Sequence, residues 1–170
     1  MRIYIVGAGP GDPDLITVKG LKILQSADVI LYTDSLVNEE LIAKAKPEAE
    51  VLKTAGMHLE EIVDVMVDRV KSGKIVVRIH TGDPSMYGAI MEQIALLKKE
   101  KIGYEVIPGV SSVFASAAAI GAELTIPDLT QTLIFEFCLC AGCIQDQKQS
   151  AWPRPILQQL NQWLSLLNSD

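Results

Sequence analysis

Short apolar runs alternate with longer amphipathic stretches along the first 134 residues of the chain. The runs are rich in β-branched residues, which is typical of strands that are buried on both faces of a sheet. They are Ile3–Val6, Val29–Tyr32, Glu50–Lys53, Ile75–Ile79 and Glu105–Ile107. We interpret each run as one strand.

The stretches between these runs carry apolar residues at helical spacing, so each predicts an amphipathic helix. The predicted helices are Leu15–Ser26, Glu39–Ala45, Leu59–Lys71 and Tyr87–Lys101. Regular alternation of strands with helices is typical of α/β domains. The sequence therefore predicts an α/β fold with a mostly parallel sheet and flanking helices.

The chain changes character near Phe135. Few charged residues lie beyond this point, whereas all three cysteines and both tryptophans do. The alternation of strands and helices also stops there. We therefore predict one domain over residues 1–134 and an atypical tail over residues 135–170, as a change of reading frame in the gene would produce.

Composition and charge exclude several classes of protein. Hydrophobic residues make up 49% and charged residues 21% of the chain, which is an ordinary globular balance, and no apolar run is long enough to cross a membrane. The net charge is −6 and no basic stripe is present, so nucleic acid is not an expected partner. The N-terminus lacks a signal-peptide pattern, which predicts a cytoplasmic location.

The three cysteines form one tight cluster, Cys138, Cys140 and Cys143. An odd number of cysteines so close together does not predict a disulfide framework. Three thiolates could instead hold zinc or an iron–sulfur centre. Because no fourth ligand lies nearby, we predict no metal site.

The first candidate binding loop, Gly7–Asp12, follows the first strand directly. Its glycines allow a tight turn and a close approach of the backbone to a ligand. One interpretation is a dinucleotide-binding loop, with Asp34 at the end of the second strand as the ribose-binding acid. However, Asp12 stands where that motif needs glycine, and Pro10 removes an amide donor. A glycine turn without a ligand is a further alternative.

Two more loops of the same kind follow strands, His80–Gly88 and Pro108–Ser112. In open α/β sheets, ligands bind at the carboxyl ends of the strands, so we expect the three loops to meet at one edge. Asp83 could accept hydrogen bonds from a ribose, or it could cap a helix that begins near Ser85.

The polar groups of these loops indicate the charge of the ligand. They contain no phosphate-binding lysine, and they carry Asp12 and Asp83 where phosphate oxygens would lie. A neutral or cationic nucleoside fits better, and S-adenosylmethionine is such a molecule. The reaction would then be attack on its methyl carbon, for which an enzyme mainly supplies alignment and exclusion of water.

Six stretches of the chain together resemble the tetrapyrrole methylases, and in particular the branch that methylates C11 of precorrin-4 or cobalt-precorrin-4. In order along residues 1–134, they are Gly7–Thr17, Tyr32–Val37, Lys53–Ile62, His80–Gly88, Pro108–Ser112 and Glu123–Thr132. Each motif alone is moderately specific, whereas six in the same order are strong support.

The resemblance implies a two-domain α/β enzyme of corrin (cobalamin) biosynthesis, usually a homodimer, that binds S-adenosylmethionine between its domains and the tetrapyrrole beside it. After Ile134 the sequence does not continue with the pattern of a second domain, so we predict that the C-terminal domain is missing and that activity is affected. The alternatives are a non-catalytic remnant or binding module, and a dinucleotide-dependent oxidoreductase built on Gly7–Gly11 and Asp34.

The resemblance also implies roles for individual residues. The cofactor site would be lined by Pro10, Thr81, Gly82, Asp83, Met86, Ser111 and Ser112. Asp34 is the candidate catalytic base, with an ordinary polar residue at a strand end as the alternative. His58 and His80 could contact substrate carboxylates or simply border a loop.

Overall fold

The core of the protein is a five-stranded sheet. The computed structural model describes residues 1–127 and 131–135, and Met1–Leu124 form one compact unit that contains every element named here. The strands are β1 (Arg2–Gly7), β2 (Val29–Tyr32), β3 (Glu50–Lys53), β4 (Val76–His80) and β5 (Gly103–Ile107). The helices are α1 (Val18–Ser26), α2 (Glu39–Ile42), α3 (Leu59–Lys71), α4 (Ile90–Lys99) and α5 (Ser112–Ala119).

All strand pairs in this sheet are parallel, and their order is β3-β2-β4-β1-β5. Gly7 lies opposite His80 on one side of β1, and Val6 lies opposite Ile107 on the other. The predicted α/β fold with a mostly parallel sheet is therefore confirmed. Because β4, β1 and β5 are neighbours, the three loops that follow them leave the same edge side by side.

Helices cover both faces of the sheet. Leu24 of α1 and Leu41 of α2 pack in one core cluster, whereas Met66 of α3 and Leu97 of α4 pack in the other. All four side chains are at most 1% exposed. Burial of a side chain of this size contributes roughly 1.5–3 kcal/mol, so these contacts hold the helices against the sheet.

The helix α3 has the predicted bounds, Leu59–Lys71. Its buried face is apolar at helical spacing, and Arg69 and Lys71 lie in its last turn, where cations favour the negative end of the helix dipole. Gly73 then adopts a φ of +82°, a left-handed conformation that ends helices at low cost when the residue is glycine.

Two predicted helices begin later than the sequence suggested. In place of Leu15–Ser26, the structure has a short 3-10 turn at Pro13–Leu15 and then α1 from Val18, because the Thr17 side chain accepts a hydrogen bond from the Gly20 amide and caps α1. In place of Tyr87–Lys101, α4 runs from Ile90 to Lys99. Tyr87 and Ala89 have φ values of +55° and +47°, which are incompatible with an α-helix.

The helix α5 differs from the other helices in its burial. Of its eight residues, Ala117 alone is buried within the described part of the chain. The small side chains of α5 therefore contribute little to the core of the described residues.

Candidate functional site

The three glycine-rich loops meet at one edge of the sheet, as predicted. The Ala8 amide donates to the His80 carbonyl over 2.7 Å. Gly9 and Gly82 exchange two backbone hydrogen bonds, with N–O distances of 3.2 and 2.8 Å, and so form a bridge between the first and second loops. The amides of these loops therefore bond to the neighbouring loop.

Two glycines let the loop backbones touch. A Cβ on Gly109 would lie 2.1 Å from the Gly82 carbonyl oxygen, and a Cβ on Gly7 would lie 2.6 Å from the same atom. Contacts this short with backbone atoms leave no space for a side chain. The sequence predicted that the glycines let a ligand approach the loop backbone. In the structure, Gly7 and Gly109 instead let their own backbones approach each other.

Asp83 links the second loop to the third. Its Oδ1 accepts hydrogen bonds from the amide and the hydroxyl of Ser85, and its Oδ2 accepts one from the Gly109 amide over 2.9 Å. Burial opposes the charge of this carboxyl, but these hydrogen bonds outweigh it and lower the pKa of Asp83.

The role predicted for Asp83 as a helix cap needs correction. The segment after Asp83 is a turn, in which the Met86 amide bonds to the Asp83 carbonyl, and the following helix begins only at Ile90. A carboxylate offers about four acceptor positions, and three are used here. Oδ2 of Asp83 keeps capacity for one further donor, such as a ribose hydroxyl.

The other predicted cofactor residues lie on the same three loops but differ in exposure. Thr81 and Ser112 are exposed, Pro10 and Met86 are half-buried, and Gly82 is buried.

Ser111 is buried as well, and its hydroxyl oxygen accepts a hydrogen bond from the Val113 amide at the start of α5. Its side chain therefore caps this helix. Of the two serines, Ser112 is the one that is open to a ligand.

Asp34 is separated by strand order from the first and third loops. It follows β2, and β4 separates β2 from β1 in the sheet. Its Oδ2 is 3.7 Å from the Lys53 ammonium, which is closer, at 3.0 Å, to Glu39. Its Oδ1 is buried without a hydrogen-bond partner among the described residues.

The strand order also bears on the dinucleotide interpretation. In the Rossmann fold the second strand adjoins the first, so its terminal acid reaches the ribose bound at the glycine loop. Here an intervening strand places Asp34 about two strand spacings, roughly 10 Å, from β1. This geometry disfavours Asp34 as a partner of the Gly7–Gly11 loop.

Arg78 is a charged residue of this edge that the sequence analysis missed. It is 6% exposed, and burial lowers its pKa to about 10, so it remains a cation at neutral pH. Its guanidinium bonds to the hydroxyls of Thr33 and Thr54. The available signal was a single arginine within the apolar run of β4.

His80 is the last residue of β4 and is also substantially buried, unlike a histidine that merely borders a loop. Burial and the nearby Arg78 charge lower the pKa of His80 to about 4, and its ring lies 3.5 Å from the Gln93 amide nitrogen. The imidazole is therefore neutral at neutral pH, which argues against His80 as a cationic partner for substrate carboxylates. His58 is exposed at the start of α3.

The pKa of His80 predicts a pH-dependent stability. Between about pH 6.5 and 4, the unfolded chain protonates this residue and the folded chain does not, so acidification favours unfolding. We expect the free energy of unfolding to fall by about 1–3 kcal/mol across this window, and His80→Gln to flatten the fall. Urea unfolding at several pH values tests this. A His58→Gln control should keep the full pH dependence, and an equal slope in His80→Gln would contradict the assignment.

A cavity of about 370 Å³ lies at the opposite edge of the sheet, where β2, β3 and β4 begin. Four of its charged groups are paired: Lys46 bonds to Asp28 over 2.5 Å, and Lys74 bonds to Glu50 over 3.2 Å. Hydrogen bonds from Arg69 lower the pKa of Glu50 to about 2. Most of the charges that line this cavity are therefore engaged in ion pairs.

The described residues contain neither a membrane-spanning helix nor a metal-binding group. No helix in residues 1–127 and 131–135 is long and apolar enough to span a membrane. Within the same residues, no group of histidine, cysteine and acidic side chains is arranged to hold a metal ion. Cys138, Cys140 and Cys143, with most of the predicted tail 135–170, lie outside the described part, so the predictions for them stay predictions.

Comparison with known sequences identifies close relatives. The chain is 73% identical over 134 residues to a cobalt-precorrin-4 C(11)-methyltransferase of Priestia megaterium, and these residues are 79% of this chain and 52% of the relative. It is 59% identical over 133 residues to the enzyme of that name from Methanocaldococcus jannaschii, covering 78% of this chain and 51% of the relative. The chain thus spans about half the length of the curated relatives it matches.

Solved structures give the same result. A cobalt precorrin-4 methyltransferase superposes with a TM-score of 0.76 at 73% identity, covering 77% of this chain and 55% of that structure. A uroporphyrin-III C-methyltransferase from Thermus thermophilus, complexed with S-adenosylhomocysteine, superposes with a TM-score of 0.66 at 36% identity. In that case 78% of this chain and 53% of the other are covered.

A family model covers more of the chain than these pairwise matches do. The model of the Tetrapyrrole (Corrin/Porphyrin) Methylases matches residues 2–166. The match includes all three loops at the carboxyl edge of the sheet and continues past residue 134. The chain belongs to the tetrapyrrole (corrin/porphyrin) methylase family.

Proposed function

We propose that this chain forms the cofactor-binding half of an S-adenosylmethionine-dependent C-methyltransferase that acts on C11 of precorrin-4 or cobalt-precorrin-4 in corrin biosynthesis. Two findings support the proposal: the sequence relatives carry this activity in their names, and a structural relative is named as a complex with S-adenosylhomocysteine. Because the chain spans about half the length of these relatives, the complete reaction is proposed for a protein of their length.

One structural observation carries the choice of cofactor class. The amides of Ala8, Gly9, Gly82 and Gly109 are all engaged within the protein, the first three with backbone carbonyls and the last with Asp83. Loops that grip a diphosphate turn such amides towards the phosphate oxygens. These four amides are therefore not available to a phosphate, which favours a neutral or cationic nucleoside at this edge.

The exposed groups of the edge fit the parts of S-adenosylmethionine. Thr81 and Ser112 offer exposed hydroxyls, and Asp83 keeps one acceptor position for a ribose hydroxyl. The remaining proposed contacts are Pro10, Gly82, Met86 and Ser111, of which Ser111 contributes by capping α5. When bound, the cofactor supplies an electrophilic methyl group on a sulfonium.

The contribution of the chain to methyl transfer would be alignment. The acceptor carbon of the tetrapyrrole supplies the electron pair of the new carbon–carbon bond, the sulfur–methyl bond breaks, and a proton leaves the substrate. Rigid loops that hold the methyl group in line with that carbon lower the entropic part of the barrier. Asp34 is the proposed base. It follows β2, which lies on the other side of β4 from β1. A homodimer is a further prediction from the resemblance, and the cytoplasmic location stays a prediction as well.

Calorimetric titration tests the cofactor class. We expect the chain to bind S-adenosylhomocysteine at least about tenfold more tightly than NAD, a difference of about 1.4 kcal/mol. A preference for NAD would support the oxidoreductase alternative and overturn the proposal. Binding of neither compound would support the non-catalytic remnant.

A transfer assay separates an enzyme from a binding module. Methyl-labelled S-adenosylmethionine is incubated with cobalt-precorrin-4 and the chain, and the label is sought in the tetrapyrrole. Tight binding of S-adenosylhomocysteine without transfer would assign this chain to cofactor binding alone, as expected for about half of the relatives' length.

A further inference from the structure

Arg78 is the centre of a buried hydrogen-bond network at the ends of three strands. Its Nη1 donates to the Thr54 hydroxyl over 3.1 Å, and its Nη2 donates to the Thr33 hydroxyl over 3.4 Å. The Thr54 hydroxyl donates its proton to the Tyr32 carbonyl, so the Thr33 hydroxyl must donate in the 3.1 Å contact between the two threonines. Both hydroxyl groups therefore have a fixed direction, and both oxygens accept a hydrogen bond from the guanidinium.

Stability does not explain why a charge is placed there. No acidic group of the described residues lies within salt-bridge distance of Arg78, and its Nε has no hydrogen-bond partner in this part of the chain. A buried cation without a counter-ion costs free energy, and an apolar side chain of similar shape is often tolerated equally well or better.

The hydrogen bonds described at the carboxyl edge of the sheet fall into two groups. The loops after β4, β1 and β5 are joined by backbone hydrogen bonds and by Asp83. The side chain of Arg78 extends from β4 in the other direction, to the residues that follow β2 and β3. Thr33 immediately precedes Asp34, so a hydrogen bond that holds Thr33 also constrains the start of the segment that carries this carboxylate.

We propose that Arg78 is a positioning residue, which holds Thr33 and Thr54 and thereby orients the Thr33–Asp34 segment towards the tetrapyrrole, independently of the cofactor loops. The inference rests on the proposed function, because that function supplies the tetrapyrrole and the role of Asp34. It assigns the carboxyl ends of β2 and β3 to the substrate, and the loops around β1 to the cofactor.

The test compares Arg78→Met, which keeps the length of the apolar stem, with Arg78→Lys, which keeps the charge and one donor. Uroporphyrin III serves as the tetrapyrrole probe, and its affinity is measured by fluorescence. For Arg78→Met we expect a loss of at least about fivefold in porphyrin affinity, a change in S-adenosylhomocysteine affinity below about twofold, and no fall in the urea midpoint. Arg78→Lys should recover part of the porphyrin affinity.

Amide signals in NMR spectra locate the effect. In Arg78→Met, the signals of Thr33, Asp34 and Thr54 should shift, and those of Gly9 and Gly109 should stay in place. A lower urea midpoint with equal losses for both ligands would show a general structural role and overturn the proposal. Failure of the unsubstituted chain to bind the porphyrin would overturn the assignment of this part of the edge. If the chain binds the porphyrin but not S-adenosylhomocysteine, the result counts against the proposed function and not against the role of Arg78. The NMR spectra still test that role.

Discussion

Replacement of Gly109 by alanine is expected to lower the free energy of unfolding by about 3 kcal/mol, at the upper end of the usual cost of overpacking. The added Cβ would lie 2.1 Å from the Gly82 carbonyl oxygen, 2.9 Å from the Gly7 Cα and 3.0 Å from the Gly7 carbonyl carbon. All three are backbone atoms of β1 or of the adjoining second loop, so no side-chain rotation relieves the contact. The loops must separate, and we expect binding of S-adenosylhomocysteine to fall by at least tenfold with them.

Gly73→Ala is the matched control for this substitution. Gly73 has a φ of +82° and nothing within 4 Å of an added Cβ, so alanine there costs only the left-handed strain of roughly 1 kcal/mol. Urea unfolding of both variants separates the free-energy cost of the close backbone contact from the cost of the left-handed conformation. A cost for Gly109→Ala no larger than that for Gly73→Ala would mean that the loops do not touch as described.

Replacement of Asp83 by alanine is expected to weaken binding of S-adenosylhomocysteine by about 10- to 100-fold while the domain stays folded. Hydrogen bonds to a charged group contribute about 1.5–3 kcal/mol, and this carboxylate both braces the Gly109 amide and keeps an acceptor position for the ligand. The Gly109 amide, part-buried, would lose its partner, so a fall of about 1–2 kcal/mol in the free energy of unfolding should accompany the loss.

Ser85→Ala separates two roles of Asp83: its hydrogen bond to Gly109 in the third loop and its hydrogen bonds to Ser85 in its own turn. That variant removes the hydroxyl that bonds to Asp83 and keeps the Ser85 amide and the Gly109 contact. We therefore expect calorimetry to show nearly unchanged ligand affinity for Ser85→Ala. An unchanged affinity in Asp83→Ala would restrict Asp83 to shaping the loops.

The strands and the positions of the loops were predictable from the sequence because they depend on local patterns. The apolar run of β2, Val29–Tyr32, is buried throughout in the structure, and α3 has the predicted bounds. The expectation that three loops share an edge followed from parallel strands alone, since their carboxyl ends point the same way. These features need no knowledge of long-range contacts.

Helix starts were less predictable because they depend on backbone conformation at single residues. Tyr87 and Ala89 adopt positive φ, which non-glycine residues rarely do, so the apolar spacing that continued through them gave a helix that was too long. Thr17 caps α1 two residues after the end of Pro13–Leu15, which makes that turn a separate element.

The partners of the site residues could not be predicted because they are distant in sequence. Asp83 meets the Gly109 amide 26 positions later, and Arg78 meets Thr54 24 positions earlier. Both contacts require the strand order β3-β2-β4-β1-β5, which the local pattern does not determine. The same order separates Asp34 from the Gly7–Gly11 loop.

The central claim is that the loops after β1, β4 and β5 form one site for a nucleoside without a diphosphate. Amide chemical-shift mapping during titration with S-adenosylhomocysteine tests it most directly. We predict that the largest shifts fall on Gly9, Thr81–Asp83 and Ser111–Ser112 and that excess NAD does not reverse them. Shifts confined to the cavity around Lys46 and Lys74 at the opposite edge, or their reversal by NAD, would contradict it.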